Sequence, residues 1–165
     1  MTKYEECAKA IGEMIMTFQQ MENTLVEYFA AICNTKIPEI GYSLASEMTF
    51  AGLCKKILKL TKQFVEDDEL NEVFAGIMQQ CDKVRNERNT YIHSNYFSVS
   101  FQEGLEVYAR QKHRVVNKKY IPDIEDVDID KINDLTNRIN SIDRELEEFF
   151  AHGRKTGAFA KFPKR

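Results

Sequence analysis

The chain has 165 residues, enough for one domain with a core of its own. Charged residues make up 30% and apolar ones 43%, as expected of a soluble globular protein, and no stretch approaches the roughly 18 apolar residues of a membrane span. The net charge of −3 hides an asymmetry: all 26 acidic residues lie within 1–150 with 18 of the 23 Lys and Arg, whereas AHGRKTGAFAKFPKR (151–165) carries five positive charges and no negative one.

The opening MTKYEEC is not a secretory leader, so the cytoplasm is the expected location and no membrane is expected as a partner. The cysteines at 7, 33, 54 and 81 show no CxxC and no zinc-ribbon spacing. They read as reduced, small core residues.

In chain order, the first 33 residues predict one long helix. Tyr4, Ile11, Phe18, Leu25 and Ile32 recur every seven residues, and Cys7, Met14, Met21 and Tyr28 fill the alternate seam positions. Pro38 and Gly41 in NTKIPEIG (34–41) end it. A second helix is expected over about 44–65, with Phe50, Leu53, Ile57, Leu60 and Phe64 on one face and lysines on the other. A third starts near EDDEL (66–70), where acidic residues suit the positive end of a helix, and runs to about Asn95.

Beyond it the period changes to two. FSVSF and LEVYA alternate apolar and polar residues around QEG, whose glycine suits a tight hairpin, and RVVNKKYI offers a third strand before Pro122. DVDID then starts a last helix whose seam is Ile132, Leu135, Ile139, Ile142, Leu146 and Phe149. The expected fold is mainly all-α: a four-helix, bundle-like domain over 1–150. It carries a small β-hairpin insertion at about 97–120 and a basic tail over 151–165.

The third helix contains a misfit. One of its heptad rows is Leu70, Ile77, Val84, Tyr91; the other is Phe74, Cys81, Arg88, Asn95. Arg88 thus falls in the middle of an apolar face, where a charge without compensation costs several kcal/mol. A buried carboxylate, escape to water or a cleft opening at this end of the seam would each resolve it. His93 stands about 140° around the helix from Arg88, above a polar line of Asp82, Asn86 and Asn89.

Arg88-Asn89-Thr90-Tyr91-Ile92-His93 has the form R-N-x-x-x-H and resembles the R-x(4–6)-H motif of HEPN-domain ribonucleases, late in a helix of an all-α bundle. The resemblance implies metal-independent RNA cleavage at a site shared by two domains, hence a homodimer with RNA as partner. It also implies a toxin or antiphage role and an antitoxin or regulatory protein partner. In many such toxins a tyrosine follows as H-x-Y; here Tyr96 lies one place late.

The chemistry suits these residue types. An imidazole, with an ordinary pKa of about 6.5, can exchange a proton with a ribose hydroxyl near neutrality. A guanidinium can stabilise the phosphorane formed between attack and departure. The resulting candidate catalytic set is Arg88, His93 and Asn89. Arg85, Arg110, Lys112, Arg114, Lys118 and Lys119 are the candidate RNA-binding residues, and no cofactor or metal is called for. No Asp or Glu stands three residues before any histidine, and Walker, dinucleotide and serine-hydrolase motifs are lacking. The competing expectation is a non-catalytic helical module that dimerises and binds a protein or RNA.

Overall fold

The computed structural model describes residues 2–33, 37–100, 106–116 and 119–158. Among the described residues five helices carry the fold: α1 (Lys3–Cys33), α2 (Pro38–Ser46), α3 (Phe50–Phe64), α4 (Asp68–Ile92) and α5 (Ile129–Thr156). Between the last two lie β1 (Asn95–Ser100), β2 (Glu106–Val116) and β3 (Lys119–Asp126), an antiparallel sheet in the order β1-β2-β3. The fold is mainly all-α, as expected. None of the described helices is long and apolar enough to cross a membrane.

Each long helix starts at a side-chain cap. The Thr2 backbone N–H donates to Glu5 Oε2 (2.8 Å) while the Glu5 N–H donates to Thr2 Oγ1 (3.2 Å), a reciprocal capping box. Thr49, Asp67 and Asp128 accept from the N–H groups of Gly52, Leu70 and Lys131 and so fix where α3, α4 and α5 begin. Gly157, at φ 75°, closes α5 in the left-handed region.

The seam of α1 is buried at Cys7, Met14, Phe18, Met21, Leu25, Tyr28 and Ile32, and opens toward its start, where Tyr4 is 62% exposed. All six predicted seam residues of α5 are buried. Each such burial contributes about 1.5–3 kcal/mol relative to exposure. Phe74 stacks on Phe149 (4.8 Å), and further along the pair Gln80 donates to Glu145 and Arg138 to Glu87, so α4 and α5 run antiparallel. Tyr28 touches Phe74 and Phe150, which sets α4 against α1 and α5 beside it.

Three expectations change. The break at 34–41 contains the start of α2, because Pro38 opens that helix and Gly41 is needed for contact: a Cβ there would lie 2.7 Å from Ala30 Cα. The second predicted helix therefore begins at Phe50 rather than near 44. α2 carries the chain back down α1, so that α3 runs parallel to α1, with Phe50 on Phe18 and Thr61 on Tyr28.

The insertion is wider than the hairpin expected over 97–120: its described strands begin at Asn95 and end at Asp126, and the third strand offered by RVVNKKYI is β3, an edge strand, where Pro122 fits. The QEG turn lies outside the described residues. α5 continues through Thr156, past the expected domain end at 150, and residues 159–165 of the basic tail are outside the described set.

Candidate functional site

α4 brings Arg88, Asn89 and His93 to one end of the bundle. Arg88 is half-buried, its guanidinium lying 4.7 Å from the centre of the Phe18 ring on α1. Its Nη1 donates to Asn89 Oδ1 at 3.1 Å, and its Nε is buried without a hydrogen-bond partner. Among the described residues no carboxylate forms an ion pair with Arg88, so the first resolution of the misfit, a buried acid, does not apply. An aromatic face supplies part of the compensation.

Phe50, the first residue of α3, packs on the same Phe18 ring at 4.8 Å. α3 therefore starts level with Arg88, and one turn earlier on α1 Ile15 is 38% exposed. The guanidinium itself is only half-buried, so water shares in its compensation.

His93 caps α4 at its C-terminus, its backbone N–H donating to Asn89 O at 3.2 Å. Its side chain is exposed, and among the described residues it makes no hydrogen bond or ion pair. Asn89 engages Arg88, accepting from its Nη1. One chain thus presents Arg88 and His93 on neighbouring parts of α4 without joining them. Phe18 adds to the surroundings of Arg88, and it reads only as a packing position in the sequence. The one available signal was that Phe18 lies on the seam Arg88 faces.

The remaining candidates separate clearly. Arg85 Nη2 pairs with Asp82 (2.7 Å) and bonds Asn86 (3.0 Å), so its charge is locally matched. Arg110 is buried, 4.2 Å from the centre of the Tyr91 ring, with Nη2 2.8 Å from Glu125 Oε2. Lys112 shares that carboxylate at 3.0 Å. Together they hold the Glu125 carboxyl below its ordinary range, Lys112 contributing most. Arg110 and Lys112 are thus tied into the junction between sheet and helix rather than presented to solvent as free charges. The side chains of Arg114 and Lys119, and all of Lys118, lie outside the described residues.

Tyr96 donates from its hydroxyl to Tyr91 O at 2.8 Å, and burial pushes its phenol up to about 12, which marks it as a fixed part of this junction. All four cysteines are free. Burial raises each thiol, Cys54 to about 12, so none is prepared as a nucleophile. Among the described residues no three His, Cys, Asp or Glu side chains gather to hold a metal ion. An open groove of about 620 Å3 between α4 and α5 is lined by Leu70, Val73, Ile77, Phe149 and His152, at the far end of α4 from His93.

The chain matches no protein-family model, no curated protein and no solved structure with which it was compared.

Proposed function

We propose that this chain is a metal-independent, HEPN-type endoribonuclease whose site is completed by a second copy of itself. The observation that carries the proposal is Arg88: a half-buried guanidinium over the Phe18 ring, without a carboxylate partner among the described residues. A charge kept there at a cost to folding is best explained by an anion that comes and goes.

In the proposed reaction the ribose 2′-oxygen attacks the adjacent phosphorus while one His93 removes the hydroxyl proton. The phosphorane breaks its bond to the 5′-oxygen, which takes a proton from the other His93 of the homodimer. The products are a 2′,3′-cyclic phosphate and a free 5′-hydroxyl. Arg88 neutralises the charge that develops on the phosphorane oxygens, and Asn89 holds the guanidinium through its Oδ1. In the cell this activity would serve as a cytoplasmic toxin or antiphage effector, restrained by an antitoxin or regulatory protein.

Purified protein incubated with labelled RNA in EDTA is expected to leave 2′,3′-cyclic phosphate ends, and His93→Ala is expected to leave none. Equal inertness of two folded dimers would favour the second reading, a non-catalytic helical module. That reading draws on the apolar stripe of Ile37, Ile40 and Leu44 at α2, which are 56%, 44% and 44% exposed.

A further inference from the structure

We infer that the outer face of α3 is a track for the phosphate backbone of single-stranded RNA, leading to Arg88. Its four gripping residues are Lys55, Lys56, Lys59 and Lys62. The inference rests on the RNA reading above and adds to it the surface along which the substrate lies.

The helix is divided sharply. Leu53, Cys54, Ile57 and Thr61 are buried in the core, and all four lysines are exposed on the opposite side. Residues 50–64 (FAGLCKKILKLTKQF) contain no acidic residue, inside a body that is acidic as a whole. Among the described residues none of the four lysines has an ion pair. Solvated helix faces ordinarily mix charge signs at three- and four-residue spacing, because like charges there oppose the helix. Lys55, Lys59 and Lys62 stand at that unfavourable spacing, over a rise of about 10 Å. A polyanion would turn this repulsion into attraction.

Position links the stripe to the site. α3 starts at Phe50, against the ring that carries Arg88, and Lys55 follows about 7.5 Å further along the axis. The basic stretch of β2 is a weaker claimant, since Arg110 and Lys112 are held by Glu125. An anionic membrane is a poorer fit than a polynucleotide: surface-bound helices insert an apolar face, and that of α3 is enclosed in the bundle.

The test uses full-length protein and a fluorescent 2′-O-methyl RNA of about 20 nucleotides, which cannot be cut through its 2′-oxygen. Its affinity is followed from about 50 to 200 mM salt. One variant carries Lys55→Gln, Lys56→Gln, Lys59→Gln and Lys62→Gln. A charge-matched control carries Lys3→Gln, Lys9→Gln, Arg144→Gln and Lys155→Gln, all at exposed positions. Circular dichroism verifies that both are folded.

The α3 variant is expected to lose roughly two to three from the slope of log affinity against log salt, at about 0.7 per phosphate contact, and the control much less. Equal losses in both variants, or wild-type binding to phosphatidylserine vesicles but not to RNA, would overturn the track. Cleavage of unmodified RNA is scored separately. A slope difference without cleavage refutes the enzyme and keeps the track; cleavage without a slope difference does the reverse.

Discussion

Arg88 and Arg110 lie at the same end of the bundle, each over an aromatic ring, yet they are held in opposite ways. Arg110 on β2 covers Tyr91 and meets a carboxylate, Glu125, that stands directly across from it on β3. Arg88 on α4 covers Phe18 and, among the described residues, meets only the side-chain oxygen of its neighbour Asn89. A paired charge ties two elements together; one without a carboxylate partner remains available to a ligand. Under the proposed function the difference separates an arginine that builds the site's frame from one that serves the site.

The sharpest way to break this contrast is through activity. Arg88→Ala and His93→Ala are each expected to lower RNA cleavage by about 10²-fold or more, the usual consequence of removing a charge stabiliser or a proton-transfer group. Both should remain folded by circular dichroism. Activity that survives Arg88→Ala would place Arg88 with Arg110 among structural residues.

The converse change acts on stability. Arg110→Ala removes a guanidinium from between Tyr91 and Glu125 and is expected to lower unfolding stability by about 2–3 kcal/mol in urea. The figure lies below that for a fully buried pair because the Glu125 side chain is 41% exposed and keeps Lys112. Cleavage per folded molecule should change far less than in Arg88→Ala. A stability loss under about 0.5 kcal/mol would show that the junction does not depend on this contact.

How much of this contrast the sequence reveals depends on the length scale of the cause. The seams of α1 and α5 are legible because burial imposes a seven-residue period, and Arg88 stands out as a break in such a period. α2 was illegible because the same residues that break helices, Pro38 and Gly41, here start one and let it approach Ala30.

Arg110 reads as a free surface charge until the register of β2 and β3 is known, for its partner lies 15 residues away and becomes a neighbour only through cross-strand pairing. The start of α3 beside Arg88 was also hidden. It follows from where Thr49 caps the helix and from the return path of α2, neither of which periodicity encodes.

A smaller effect of the opposite sign sharpens the contrast further. Replacing a buried charge by an apolar side chain of similar volume is often neutral or stabilising when no partner is left behind. Arg88→Met should therefore leave stability unchanged or raise it by about 1 kcal/mol, because the thioether can pack on Phe18 and the unsatisfied Nε disappears. Cleavage should still be lost. A stabilised, inactive Arg88→Met would be the signature of a residue retained against the interest of folding; marked destabilisation would mean that the guanidinium has partners that matter to the fold.

The smallest expected effect provides the scale for paired charges on the open surface. Arg138 on α5 makes two hydrogen bonds to Glu87 on α4, at 2.7 and 2.8 Å, and these hold the Glu87 carboxyl below its ordinary 4.5. Both side chains are nearly half exposed, so solvent screening limits the pair to about 0.5–1 kcal/mol despite its bidentate geometry. Because the folded-state value is depressed, that contribution is complete above the unfolded value near 4.5 and disappears as pH falls through the folded one. Arg138→Ala should consequently cost under 1 kcal/mol at pH 7, and progressively less as pH falls below 4.5, in parallel urea titrations. A cost that persists undiminished into acid would assign the contact to packing of the arginine stem rather than to charge. The pairing of Arg110 would then need the same pH series before its larger effect could be called electrostatic.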